Sequence, residues 1–223
     1  MKFEKTEVWG FKHALRGMRN PLESWDKSDS EVAEYQVSNF QVAERITVGQ
    51  NDLELAQKLI KAGSEHRKFM RQIFVSVDIT APLYWWKEFD TYKVGTVANS
   101  TSTMHKLAST PITKDCFEMD DFEDMIVEPL IISGVWKNYL FTLEILRQKY
   151  NETKDKRYWK ELIRLLPESW LQKRTVTMNY ENLYSSVRHR KNHKLTEWSV
   201  NFIEWVKSLP YAEELIFIGK EEK

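Results

Sequence analysis

The pattern of hydrophobic and polar positions predicts its clearest strand over residues 73–80. One side of this segment is entirely apolar, formed by Ile73, Val75, Val77 and Ile79. Such an alternation is typical of a strand with one buried face. Ala81-Pro82 follows and predicts the end of the strand. A second alternating segment lies at 172–178, and weaker alternation at 3–9 and 31–48 predicts further strands.

Between these predicted strands, apolar residues at helical spacing predict helices. After Asn51 or Asp52, either of which is a good N-cap, a helical stripe runs to Gly63. The same periodicity predicts helices at 83–90, 136–146, 154–166 and 193–208, and another that begins after Asn179. Two polar segments, 16–30 and 94–116, are predicted to be loops. The chain is therefore predicted to be α+β and rich in helix.

Length and charge narrow the class of protein. A chain of 223 residues and 26.6 kDa suits one domain with an elaborated edge. We expect a single domain over 1–223, with an N-terminal elaboration at 1–50 and the core at 51–223. Lys and Arg number 33, as do Asp and Glu, and this balance argues against general nucleic-acid binding. A small phosphorylated ligand, which needs only a few local cations, remains compatible.

Other common classes lack their signals. Cys116 is the only cysteine, so neither a disulfide framework nor a cysteine metal site is expected. His189 and His193 have the spacing of a helical metal pair, but no third ligand is evident, so no metal is expected. The sequence has no apolar run that predicts a signal peptide or a membrane span, and a cytoplasmic protein is expected.

A basic strand and helix carry the strongest chemical signal. Lys173 and Arg174 lie in the predicted strand, and Arg188 and Arg190 lie in the helix after it. Neighbouring residues of a strand point to opposite faces, so at most one of the first pair serves a given pocket. One cation from each pair would suit a phosphate or a pyrimidine carbonyl. The alternative interpretation is a solvated basic surface.

Two weaker candidates for a functional site are a run of hydroxyl side chains and one carboxylate. The run Ser100-Thr101-Ser102, which follows Asn99, has the donors of a phosphate-binding loop, although Ser, Thr and Asn are also common in any loop. Glu88 carries a carboxylate that suits acid–base chemistry, although on an amphipathic helix such a group is more often solvated.

Two segments together resemble the flavin-dependent thymidylate synthases. In that family a helix ending in Leu-Pro precedes a strand with an arginine, an asparagine, and a helix with a second arginine. Pro167, Lys173, Asn179 and Arg190 stand at the matching spacing. Upstream, the helix that ends at Gly63, the strand that ends at Ala81-Pro82 and the aromatic helix after it also resemble the family. The resemblance covers residues 53–105 and 158–208.

The sequence departs from the family at its sharpest signature, an Arg-His-Arg triplet. Thr91-Tyr92-Lys93 stands at the expected place, so one basic residue is kept. With one inserted residue, Asn99 and Ser102 take the Asn and Ser positions that follow. A histidine and a glutamine that help hold flavin and substrate in the family correspond to Gln72 and Glu88.

The resemblance implies a sheet, antiparallel or mixed, flanked by helices, and assembly as a homotetramer. It implies reductive methylation of dUMP, in which FAD, reduced by NADPH, moves the one-carbon unit of methylenetetrahydrofolate to C5 of the uracil. The implied roles are activation of the base by Arg190 or Arg188, substrate binding by Ser102, Lys173, Arg174 and Glu88, and flavin binding by Gln72, Lys93, Asn99 and Asn179. Two alternatives remain: a non-catalytic nucleotide-binding protein on the same fold, and a helical interaction or structural protein.

Overall fold

Six strands and nine helices form within residues 1–38, 41–119 and 129–218, the part of the chain that the computed structural model describes. The strands are β1 (Lys2–Trp9), β2 (Glu31–Ser38), β3 (Gln41–Thr47), β4 (Phe74–Pro82), β5 (Val97–Ser100) and β6 (Leu171–Asn179). The helices are α1 (Phe11–Arg19), α2 (Gln50–Ala62), α3 (Leu83–Phe89), α4 (Thr103–Lys106), α5 (Pro129–Thr153), α6 (Lys156–Arg164), α7 (Tyr180–Arg190), α8 (Ile203–Lys207) and α9 (Ala212–Leu215). Short 3₁₀ turns cover Asn20–Leu22, Trp25–Lys27, Arg67–Gln72 and Lys114–Cys116.

A four-stranded sheet in the order β1-β4-β6-β5 organises the fold, and β2 and β3 form a separate antiparallel pair. The alternation that predicts β4 is confirmed, because Val75, Val77, Ile79 and Ala81 are buried while the residues between them are more accessible. The predicted α+β class, with an antiparallel sheet flanked by helices, is also confirmed. The expectation of one domain with an elaborated edge stays a prediction.

The predicted loop at 16–30 is wrong in its first residues, because α1 extends to Arg19. Four apolar residues at helical spacing form the buried face of this helix: Phe11, Ala14, Leu15 and Met18. Gly10 starts the helix with φ +95°, and a Cβ there would meet the Gln72 carbonyl oxygen at 2.1 Å. Only glycine fits this turn, so the helix start has no side-chain cap to reveal it in the sequence.

The predicted N-cap of α2 is also wrong. The helix begins at Gln50, after Gly49, and its first backbone N–H groups are bound by a carboxylate from far upstream. Asp29 accepts hydrogen bonds from the backbone N–H groups of Asn51 (2.9 Å) and Asp52 (3.1 Å). A capping oxygen can therefore come from outside the helix, which local spacing does not predict.

The segment 94–116 contains β5, α4 and a 3₁₀ turn, where the sequence predicted only a loop. All four residues of β5 are exposed, so no hydrophobic alternation marks it. It forms because it pairs with β6, and the Thr101 N–H continues this contact by donating to the Lys173 carbonyl at 2.9 Å.

The predicted helix at 193–208 is confirmed in its second half and differs in its winding. Glu197–Phe202 forms a π-helical turn, and α8 continues from Ile203 to Lys207. Single π turns inside helices occur often at functional sites.

The chain divides into two compact units. The first consists of residues 1–2, 78–91 and 99–175. Its hydrophobic core is formed by Leu107, Ile112, Phe117, Leu143 and Leu162. An aromatic cluster on α3 joins Trp85 to Trp86 at 4.9 Å and to Phe89 at 5.0 Å between ring centroids.

The second unit consists of residues 3–77, 92–98 and 176–223. Helices α1, α2 and α7 pack there around the turn Arg67–Gln72. The buried phenol of Tyr180 meets Phe11 edge to face and donates to the Pro210 carbonyl at 2.7 Å.

Of the helices within the described ranges, none has both the length and the apolar composition needed to cross a membrane.

Candidate functional site

A cleft of about 780 Å³ opens on the second unit beside Gln72, and we call it the Gln72 cleft. Its volume lies in the range of small-molecule sites. One wall is apolar and includes Met18, Leu55, Leu59 and Phe69. Its polar lining includes Gln72, His66, Lys68 and Arg71, with Glu65 as an acid. The cleft therefore joins an apolar surface to an excess of positive charge.

Backbone packing determines where the Gln72 side chain lies. A Cβ at Gly17 would stand 2.9 Å from the Gln72 Oε1 atom, so the absence of a side chain at 17 leaves room for this amide. Arg71 is fixed by an ion pair to Glu181 in the first turn of α7, and Arg67 donates to the same carboxylate at 3.2 Å. The sequence indicated Gln72 and did not indicate the cleft, since α1 was not predicted.

Asn179 and Lys93 belong to neighbouring segments of the same unit. Asn179 is the N-cap of α7, and it forms a capping box with Asn182, each side chain accepting from the other's backbone N–H at 3.0 and 3.1 Å. Asn182 also donates to the Val94 carbonyl at 2.7 Å. Gly95, at φ +75°, passes so close that a Cβ would lie 3.0 Å from Asn179 Nδ2. The exposed Lys93 is therefore held near the start of α7.

Arg190 lies in an aromatic clamp, formed by Tyr92 and Trp198, at the end of α7. Its Nε donates to the Tyr92 hydroxyl at 2.8 Å. The centre of its guanidinium lies 4.7 Å from the Trp198 ring centroid and 5.4 Å from that of Tyr92. Cation–π contacts of this kind orient a guanidinium while its charge is kept. The π-helical turn at 197–202 supplies Trp198, and the sequence indicated neither aromatic partner.

Arg188 has different contacts. Its guanidinium donates to the carbonyls of Tyr184 (2.9 Å), Ile216 (3.2 Å) and Ile218 (2.6 Å), and it stacks on the Tyr184 ring. These bonds tie the C-terminal segment to α7. The Arg188 guanidinium is thus bonded to backbone carbonyls, whereas that of Arg190 is bonded to a side-chain hydroxyl. The sequence left open which of the two would activate a base, and that role stays a prediction.

Lys173 and Arg174 contact different groups of the first unit. Lys173 lies 3.6 Å from Asp78, which also accepts a hydrogen bond from Thr175 at 2.6 Å. Arg174 pairs with Asp90 at 2.7 Å and lies 4.2 Å above the Trp86 ring. A ligand phosphate would have to compete with Asp78 or Asp90 for these cations.

The remaining predicted residues also lie in the first unit. Asn99 is exposed on β5. The Ser102 hydroxyl caps α4 by accepting a hydrogen bond from the His105 N–H at 3.2 Å. A ligand at Ser102 would therefore share this hydroxyl with the helix cap. Glu88 is half-buried on α3. The roles predicted for all three stay predictions.

Within the described ranges, no group of three or more His, Cys, Asp or Glu side chains is arranged to hold a metal ion.

The fold is shared with flavin-dependent thymidylate synthases of known structure. The enzyme ThyX of Helicobacter pylori, in a crystal structure with FAD and dUMP, matches with a TM-score of 0.66 at 16% identity, over 97% of this chain and 98% of that one. A second structure of that protein with FAD and dUMP, at 2.31 Å resolution, matches with a TM-score of 0.68 at 15% identity, over 97% of each chain. No protein-family model and no curated protein sequence matches the chain. At this identity the likeness establishes the fold.

Proposed function

We propose that this protein is a divergent flavin-dependent enzyme of the thymidylate synthase type, which methylates dUMP or a related pyrimidine nucleotide. The observation that carries the proposal is the match of nearly the whole chain to the fold of an enzyme that holds FAD and dUMP. The cofactor is FAD, with NADPH and methylenetetrahydrofolate as co-substrates. In the proposed reaction, the flavin supplies reducing equivalents.

The donor set of the Gln72 cleft fits a flavin nucleotide. A flavin needs an apolar surface for its ring system and cations for its pyrophosphate. Phe69 and Leu59 supply the first, and Lys68 and Arg71 supply the second. Gln72 adds an amide that can both donate to and accept from a heterocycle. We assign flavin binding to this cleft, with Lys93 and Asn179 as further contacts and Asn99 as a predicted one.

Arg190 is the residue proposed to activate the pyrimidine. A cation held beside the base carbonyl stabilises negative charge that develops on the ring during methyl transfer. Tyr92 and Trp198 orient the guanidinium before a substrate arrives, so little reorganisation is needed at that moment. Binding of the nucleotide phosphate is assigned to Lys173 or Arg174 with Ser102, and Glu88 is assigned to substrate binding.

A second candidate is a nucleotide-binding protein without catalysis. One observation favours it: Tyr92 lies within the segment where the family has its Arg-His-Arg triplet, and its hydroxyl is used to hold Arg190. Fewer cations are then left at that segment for a flavin phosphate.

The test compares flavin uptake with product formation. The purified protein is titrated with FAD, and is then incubated with dUMP, methylenetetrahydrofolate and NADPH while dTMP is measured by mass spectrometry. We expect a yellow protein that forms dTMP. The variant Lys68→Glu should take up less FAD, whereas Lys61→Glu, which makes the same charge change on an exposed part of α2, should not. Heat stabilisation by dUMP without flavin uptake would favour the second candidate, and no response to any nucleotide would reject both.

A further inference from the structure

A second cationic cleft lies on another face of α1, and we call it the Arg16 cleft. Its volume is about 210 Å³, and it shares no lining residue with the Gln72 cleft. Its polar and aromatic lining consists of Lys12, Arg16, Arg19, Trp25, Ser28 and Ser30. This volume is many times what one water molecule needs, so a phosphate group can enter the cleft.

Three basic residues of α1 lie on one face of the helix. Lys12, Arg16 and Arg19 are separated by four and three residues, which places them on one face of the helix. The helix contains no acidic residue, and Lys12 stands in its first turn, where the helix dipole already favours negative charge.

Arg19 forms a rigid inner wall of the cleft. Its side chain is 4% exposed, with Nε donating to Asp52 at 2.5 Å and Nη1 donating to the Ser24 carbonyl at 3.2 Å. The hydroxyls of Ser28 and Ser30 each donate to the other Asp52 oxygen at 2.6 Å. The buried Asp52 carboxylate therefore balances Arg19 from behind, and no acidic residue lines the cleft among the residues that the structure describes.

Arg16 is exposed, and within the described part of the chain its guanidinium has no acidic partner. Because Arg16 is exposed and lines the cleft, its guanidinium can reach an anion bound there. A guanidinium suits phosphate oxygens because it can donate two parallel hydrogen bonds.

Trp25 supplies a flat surface beside the cations. Its ring is 49% exposed, and its Nε1 donates to the Asn20 side chain at 2.9 Å, which fixes the ring and uses its only donor. The ring face is what remains for a ligand, and ring faces of tryptophan stack on nucleobases.

From this arrangement we propose that the Arg16 cleft binds a nucleoside monophosphate, with the phosphate at Arg16 and Lys12 and the base stacked on Trp25. This site is separate from the flavin and dUMP chemistry proposed above, so it does not depend on that function.

The proposal is tested by calorimetric titration of the full-length protein with AMP and with inorganic phosphate. We expect AMP to bind more tightly than phosphate. Arg16→Glu should weaken both by at least about tenfold, because a charge-assisted hydrogen bond is lost. Trp25→Leu should weaken AMP alone. Lys61→Glu is the matched control, and thermal unfolding midpoints of the two charge variants should agree because both residues are exposed.

Three outcomes would overturn the proposal. The first is equal AMP affinity of the Arg16→Glu and Lys61→Glu proteins. The second is AMP binding that is lost in Lys68→Glu and kept in Arg16→Glu, which would place AMP in the Gln72 cleft. The third is an AMP affinity no higher than that of phosphate and unchanged by Trp25→Leu, which would remove the role of the ring.

Discussion

Arg190 shows how neighbouring side chains hold one cation in a fixed orientation. An arginine at the end of a helix is usually solvated, but here Tyr92 and Trp198 hold it half-buried and oriented. Cations held in this way stabilise charge that develops in a transition state without first having to reorient.

Replacing Arg190 by alanine should reduce kcat for dTMP formation by roughly 100- to 1,000-fold, the range for loss of one preorganised electrostatic contact. Tyr92→Phe should give a smaller loss, since the charge stays and only its orientation is relaxed. Steady-state kinetics of both variants checks this. A kcat of Arg190→Ala equal to that of the wild type would contradict the assignment.

Arg188 serves as the contrast within the same helix. Arg188→Ala removes three hydrogen bonds to backbone carbonyls, so it should lower the thermal unfolding midpoint more than Arg190→Ala does. If instead it lowers kcat in a protein of unchanged stability, the two residues have been assigned the wrong way round.

The ion pair of Glu144 and Arg147 predicts a pH dependence of stability. Two hydrogen bonds from Arg147 (2.6 and 2.8 Å), helped by the Ile112 backbone N–H and the Gln148 amide, lower the pKa of Glu144 to about 2 from an ordinary value of 4.5. Burial acts in the opposite direction. The Glu144 carboxyl group therefore binds a proton less tightly in the folded state than in the unfolded state. The stabilisation is complete above pH 4.5 and is lost as the pH falls toward 2.

We expect the hydrogen bonds to the Glu144 carboxylate together to contribute about 2 kcal/mol to the free energy of unfolding at neutral pH, a figure that allows for partial solvent screening. Urea unfolding at several pH values measures it. Glu144→Gln should be less stable at pH 7 and should lack this part of the acid dependence. A wild-type acid dependence identical to that of the variant would show that Glu144 titrates normally.

At the scale of elements, α7 is the clearest case of local chemistry defining a helix. Asn179 begins the helix with a reciprocal cap, and β6 ends at the same residue. The strand and the helix are therefore joined without a loop.

Asn179→Ala should lower the free energy of unfolding by about 1 kcal/mol, the typical cost of a lost N-cap. Asn179→Asp, which keeps the accepting oxygen, should retain most of the stability. Asn99→Ala, at an exposed position of β5, is the control. Equal urea midpoints for all three variants would mean that the cap is dispensable.

The elements divide into those that local sequence predicts and those that it does not. Strand β4 and helix α5 were predicted because a regular period of apolar residues marks them. Strand β5 has four exposed residues and no such period, since pairing with β6 alone makes it a strand. Helix α1 also carries an apolar stripe, but it is only nine residues long and a polar segment follows it, so the sequence pattern does not predict it.

At the scale of the whole molecule, the fold is that of ThyX over nearly the full chain, while 15–16% of residues are identical. The buried pattern and the backbone turns can be kept through extensive change on the surface, because cores tolerate substitution when size and pattern are maintained.

The resemblance also predicts a homotetramer. Light scattering of the purified protein should give four times the chain mass of 26.6 kDa. A monomer at micromolar concentration would contradict this expectation, and it would remove any contribution of a neighbouring subunit to the proposed sites.

The sequence by itself determined the fold class, the buried face of β4 and the start of α7, because each follows from the pattern of residues close along the chain. It also determined that Arg190 was a candidate. Only the tertiary structure decided that Arg190 is held by Tyr92, 98 positions away, and that Asp29 caps a helix 22 positions later. The Gln72 cleft and the Arg16 cleft are likewise formed only by the tertiary structure. The physical reason is that a local period encodes which face is buried, whereas a binding site depends on which distant side chains the folded backbone brings together.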